Sequence, residues 1–201
     1  MTIAEAVQDL HRRASWKPNA AVRGPVPLNR FLQEVALEHF ALSQLSTKSV
    51  AETLIAERIV SGPSSVAELL ERNDKLDGFL FTAGGRAFAF VDADAPIGRR
   101  RFTAAHELGH RMLHRDKMGA QLAETNMEKF DAKLGPMEIE ANKFAAELLM
   151  PEVVLRARAA ALESETRRCP RSVLVYQLAG EMLVSPEAMK YRLTTLGIGD
   201  E

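Results

Sequence analysis

The order of segments along this sequence predicts an α+β fold. Apolar residues recur at helical spacing up to Asp77. Two short runs rich in aromatic and β-branched residues then flank a glycine turn. Beyond that hairpin the helical spacing returns, and the chain finishes in a pair of short helices arranged like a helix-turn-helix.

Residues 2–15 read as the first helix, followed by a loop rich in Pro and Gly from Lys17 to Pro27. Helical spacing runs through Phe31, Val35, Ala36 and Phe40, and again through Val50, Leu54, Ile55 and Ile59. Ser65 with Glu68 reads as a capping box for a short helix over Val66 to Glu71. Phe79 to Thr82 and Arg86 to Val91 form the predicted hairpin around Ala83-Gly84-Gly85. A helix follows Asp94 to Gly98, with Thr103 as its expected N-cap. Met118 to Gly135 is polar and irregular. Gly135-Pro136 then opens a helix that Pro151 closes. An Arg- and Ala-rich helix, a break at Cys169-Pro170, and helices over Val173 to Met182 and Pro186 to Leu193 complete the chain. Ser185 caps the last of these, and Gly197 stops it. The expected division is an N-terminal helical extension (1–45), a core (46–151) and a C-terminal helical subdomain (152–201).

A length of 201 residues suffices for one full core, or a compact domain with a small appendage. Lys and Arg number 26 against 27 Asp and Glu, so the net charge of -1 excludes a global attraction to nucleic acid or anionic membrane. The single cysteine, Cys169, cannot form an intramolecular disulfide and fits a reducing compartment. Although flanked by Arg167, Arg168 and Arg171, it has no neighbouring His and reads as an incidental thiol. The N-terminus lacks a basic start followed by an apolar run, and no stretch approaches the roughly 18 apolar residues of a membrane span. A soluble cytoplasmic protein is expected.

His106-Glu107-Leu108-Gly109-His110 carries the chemistry. Positions four apart share one face of a helix, so two imidazoles there can reach a single Zn²⁺ at about 2.0–2.1 Å. Glu107 lies at the edge of that face and can take a proton from water activated by the metal. Ala105, Leu108 and Met112 make the opposite face apolar, which disfavours a helix with merely surface histidines. Gly109, costing up to about 1 kcal/mol against Ala in a helix interior, implies a close neighbour such as a crossing strand or substrate backbone. His114 lies about 12 Å further along the axis than His106, too far to share one ion with it. It is expected either to support a ligand from outside or to sit near the rim.

The helix after Gly135 offers Glu138 and Glu140 as a third ligand. Its apolar stripe runs through Met137, Ala141, Phe144, Ala145 and Leu148, and Glu138 falls within the buried sector. Glu140 falls beside Glu147 and toward Lys143, as a solvated charge would. A carboxylate aimed into an apolar stripe costs several kcal/mol unless a cation meets it, so Glu138 is the ligand candidate. Asn142, one turn later, can hydrogen-bond a ligating histidine.

The block Arg100 to Arg115 around His106-Glu107-Leu108-Gly109-His110, with the block Glu138 to Pro151, resembles the ImmA/IrrE family of metallo-endopeptidases. The similarity runs from about Asp77 to Gly197. It implies a small zincin-like metallopeptidase domain built from a short sheet and active-site helices, binding one Zn²⁺ per chain through two His and one Glu. The family's Glu-x-x-(Ala or Cys)-Asn pattern falls on Glu138, Ala141 and Asn142, which agrees with the helical wheel. Family members cleave helix-turn-helix repressors of prophage, mobile-element or stress genes. The resemblance therefore implies a protein substrate of that kind, expected to be encoded nearby.

Zincins commonly hold substrate as an added strand, and Arg86, Phe88 and Phe90 are expected to form that edge. Tyr176, Tyr191, His39 and Arg side chains are candidates to stabilise the oxyanion. The terminal helical pair supports a second class, a DNA- or repressor-binding regulatory module with a structural or vestigial zinc site. Arg167, Arg168, Arg171, Lys190 and Arg192 supply its cations, while Glu181 and Glu187 dilute them.

Overall fold

In the computed structural model, which describes residues 1–114, 121–124, 135–165 and 169–199, the chain opens with α1 (Ile3–Arg13). A capping box fixes its start: Thr2 accepts from the Glu5 amide, and the Glu5 carboxylate accepts from the Thr2 amide. After a loop comes α2 (Leu28–Glu34). The helical spacing expected to continue through Phe40 does not hold. Ala36 turns left-handed at φ 50°, and Leu37–Leu42 is a strand, β1. Parallel pairing with a later strand overrides the local periodicity there.

Ser46 and Ser49 cap α3 (Thr47–Ala56) reciprocally. A 3₁₀ turn over Pro63–Val66 leads into α4 (Ala67–Glu71). The capping box expected from Ser65 is not formed; its hydroxyl lies 2.9 Å from that of Ser61 instead. The hairpin is as expected, β2 (Gly78–Ala83) turning into β3 (Arg86–Asp92) through Gly84 and Gly85, both at positive φ. β4 (Gln121–Glu124) adds a further strand antiparallel to β2, within a segment expected to be irregular; the remainder of Met118 to Lys133 and Leu134 lies outside the described residues.

The sheet order is β1-β3-β2-β4. Both faces are covered. Leu80, Ala87, Ala89 and Val91 point into one core, and Phe79, Phe81, Phe88 and Phe90 into another beside α3 and α4. This alternation is the period-2 pleat of a strand sandwiched between helices. It also corrects the substrate-edge reading. β3 is flanked on both sides, so its ladder groups are already paired, and Phe88 and Phe90 are fully buried. Arg86 pairs with Glu38 of β1 and lies over the Phe88 ring. Among the described residues, the sheet's edges are β1 and β4.

The first core also receives the remaining helices: α5 (Ile97–Leu113), α6 (Pro136–Leu149), α7 (Glu152–Glu165), α8 (Arg171–Met182) and α9 (Pro186–Leu196). α5 starts at Pro96, well before Thr103, which is buried inside the helix rather than capping it. Ser185 caps α9 by accepting from the Ala188 amide, and Gly197 ends it at φ 60°. Residues of α1 and α2 join the same buried cluster as α5 and α6.

Candidate metal centre

α5 lies against β3 and packs most extensively on α6, and this pairing creates the site. Gly109 makes the approach possible: a Cβ there would sit 3.0 Å from the Phe144 ring and 3.2 Å from Ala141 Cα. The close neighbour implied by this glycine is therefore the backbone of α6, not a strand or a substrate. One side of α5 carries His106 and His110, both buried, with ring centroids 4.6 Å apart. α6 brings Glu138 over them.

The ligand atoms of His106, His110 and Glu138 all lie within 4.8 Å of one another. The two Nε2 atoms face each other at 2.9 Å, and Glu138 Oε2 stands 3.2 Å from one and 3.3 Å from the other. Two imidazole nitrogens this close have room for one proton between them. A cation instead accepts all three lone pairs at once, so the donor set fits a divalent metal. Burial pushes the Glu138 carboxyl up, but hydrogen bonds to His106 and His110 outweigh it and hold the group at about 2. Glu138 is thus anionic at neutral pH.

Glu107 is fully buried, and neither of its carboxylate oxygens has a hydrogen-bond partner among the described residues. Burial raises it to about 7, against the pull of His106 and His110. An orphaned buried carboxyl costs several kcal/mol, and a cation or a polarised water beside the three donors would supply its missing partner. β2 closes in from the other side. A Cβ on Gly78 would overlap the Glu107 carboxylate and stand 2.5 Å from the Thr103 methyl, so only glycine leaves the carboxylate where it is.

Behind the histidines, His106 Nδ1 lies 2.9 Å from Asn142 Oδ1. His110 Nδ1 lies 3.1 Å from Nδ1 of His114, a buried residue at the C-cap of α5. Both residues thus support the histidines from outside. His114 Nε2 in turn is 2.8 Å from Glu140 Oε2. Glu140 is half exposed, as its helical position predicts, yet it reaches this buried chain. A wheel drawn on α6 alone cannot show that contact. The available signal was His114 itself, continuing the histidine face of α5 and needing a polar partner once buried.

The terminal helices sit with Leu178, Met182, Met189 and Leu193 in the main core. Arg171 donates to the Ile198 and Gly199 carbonyls and Arg192 to that of Met150, so these guanidiniums hold the helices in place. Arg167 and Arg168 lie outside the described residues. Tyr176, Tyr191 and His39 are all exposed. Among the described residues, no helix is long and apolar enough to cross a membrane.

Two likenesses to known proteins coincide with this geometry. The chain is 27% identical over 115 residues to a protein of Bacillus phage phi105 named "Uncharacterized immunity region protein 2", covering 54% of this chain and 70% of that protein. Residues 68–194 match the Peptidase_M78 model, described as the IrrE N-terminal-like domain. That span runs from α4 into α9 and contains the two histidines, both glutamates and Asn142. It takes in well over half of the chain, which therefore belongs to this metallopeptidase family.

Proposed function

We propose that the protein is a zinc-dependent endopeptidase acting in the cytoplasm on a helix-turn-helix transcriptional repressor, which it cuts at one or very few sites to relieve repression. The observation that carries this reading is the Glu107 carboxylate, unpartnered among the described residues, beside the three donors that converge among them. A structural zinc site is closed by four protein ligands, whereas three donors with an idle carboxyl alongside is the composition of a hydrolytic site. The immunity-region name of the phage relative supports a role in prophage regulation.

In this reading His106, His110 and Glu138 hold the ion. A divalent ion held there would supply Lewis acidity, polarising the scissile carbonyl and acidifying the attacking water. Glu107 takes the proton of the attacking water and delivers it to the leaving amine nitrogen. A cation beside it favours the charged form of this carboxyl, which leaves Glu107 ready to accept that proton. Glu138, held anionic, keeps its lone pairs available for the ion. Asn142 accepts the His106 Nδ1 proton and so turns Nε2 inward.

An extended peptide must lie in the cleft, so an intact helix resists cutting and casein-like bulk substrates should be cleaved weakly. The engagement of Arg171 and Arg192 with backbone carbonyls disfavours the regulatory-module alternative, because it removes cations from phosphate contact. The test is to incubate the zinc-loaded protein with the helix-turn-helix protein of the adjacent reading frame and read fragments by mass spectrometry. One discrete cut, lost in Glu107→Gln while its zinc is retained, supports the proposal. Broad degradation of unrelated proteins, or cutting by Glu107→Gln at the wild-type rate, overturns it.

A further inference from the structure

The chain of contacts behind His110 carries an inference about Glu140, resting on the metal reading above. If His110 offers its Nε2 lone pair to a cation, its proton must sit on Nδ1. That proton needs an acceptor, and the atom in place is His114 Nδ1 at 3.1 Å. An imidazole nitrogen accepts only when its ring carries the proton on the other nitrogen. His114 must therefore be protonated at Nε2, the atom 2.8 Å from Glu140 Oε2. A carboxylate only accepts, so Glu140 selects this tautomer of His114, and His114 then selects that of His110.

We propose that Glu140 is a positioning residue: acting through His114, it fixes the tautomer and ring orientation of His110 and so tightens metal binding. Both imidazoles are buried, where bulk water does not compete for these hydrogen bonds. Glu140 itself is half exposed, so replacing it leaves no unpaired group of its own inside the protein. The two ligating histidines thus have different supports from one helix, a neutral amide for His106 and a carboxylate reached through a second imidazole for His110.

Two measurements on the full chain test this. The first is zinc affinity by chelator competition for wild type, Glu140→Gln, Glu140→Ala and the control Glu147→Gln. Glu140→Ala should still load about one zinc per chain at saturation but bind it about 10-fold or more weakly, within the range typical of outer partners of metal ligands. Glu140→Gln, whose amide oxygen still accepts, should fall between Glu140→Ala and wild type, and Glu147→Gln should match wild type. The second is the ¹H–¹⁵N long-range correlation spectrum of the imidazoles, which reads tautomers directly. His114 should carry its proton on Nε2 in wild type and lose that preference in Glu140→Ala. Wild-type His114 protonated on Nδ1, or affinities equal in Glu140→Ala and Glu147→Gln, would overturn the proposal. If wild type binds no zinc, the metal reading itself falls, and with it this role; an intact tautomer chain would then leave Glu140 a purely structural partner of His114.

Discussion

Removing the charge of Glu107 should change how the stability of the metal-free protein depends on pH. In the folded chain burial lifts this carboxyl from 4.5 to about 7, a rise of about 2.5. At about 1.4 kcal/mol per unit, that corresponds to roughly 3 kcal/mol. A raised carboxyl means that the folded state holds the proton more tightly than the unfolded one. Its contribution is therefore fully present below about 4.5, falls as pH rises, and is gone above about 7. Glu107→Gln keeps the shape and never ionises, so it should become the more stable protein by roughly 3 kcal/mol on going from pH 4.5 to pH 8. The assay is urea unfolding in the presence of a chelator, followed by subtraction of the two stability curves. Histidines that titrate alike in both proteins cancel in that difference. A difference that stays flat across the interval would refute the buried, unpartnered carboxyl. Saturating zinc should remove most of the slope, because a cation beside Glu107 favours its charged form.

Two other perturbations probe the neighbours. Glu138→Gln should lose most of the bound zinc, measured by elemental analysis after dialysis, while Glu140→Gln keeps about one per chain at saturating metal; the reverse pattern would move the third ligand to Glu140. Gly78→Ala places a methyl against the Glu107 carboxylate and the Thr103 methyl. It should lower kcat at least about 10-fold and destabilise the fold by about 1–3 kcal/mol, with zinc content unchanged. Full activity in that variant would show that Glu107 need not stay where it is.

What could be read from the sequence depended on whether its cause was local. The i, i+4 histidines, the hairpin glycines and the Ser185 and Gly197 caps are each set within a few residues, and each occupies its expected place. Glu138 was legible because a carboxylate in an apolar stripe violates its own helix's pattern. Phe40 was not, since its helical spacing is contradicted only by a strand some fifty residues later along the chain, Arg86–Asp92, that pairs with Leu37–Leu42. The edge reading of Arg86, Phe88 and Phe90 failed for the same reason: the hairpin partner is local, but the second flanking strand, Leu37–Leu42, comes from a distant segment, and an alternating run reads alike at the edge or centre of a sheet. Glu140 is the subtler case. Its helical position does face outward, and the end of α5 lying alongside gives it a buried partner in His114.

Gly109 links these outcomes to the way the site coexists with a core. Among the described residues, every polar side chain buried near the donors sits where α5 meets α6 or β2, and the glycine sets how close α6 comes. A wider separation would carry Glu138 away from the two Nε2 atoms and Asn142 away from His106. The narrow one instead packs Phe144 and Leu108 into the same cluster. Apolar burial on one side of the contact therefore holds the polar constellation on the other side in register. In the absence of metal the arrangement is costly, since two facing imidazoles and an unpartnered carboxyl are enclosed together. Zinc at a hundred times its dissociation constant would add about 2.7 kcal/mol to the folded state. That is comparable with the Glu107 contribution worked above, so on the proposed reading the ion largely offsets the cost of enclosing its own ligands and base. The apparent melting temperature should then follow zinc concentration in wild type. It should hardly respond in Glu138→Gln, and an equal zinc response in the two proteins would show that the ion binds elsewhere.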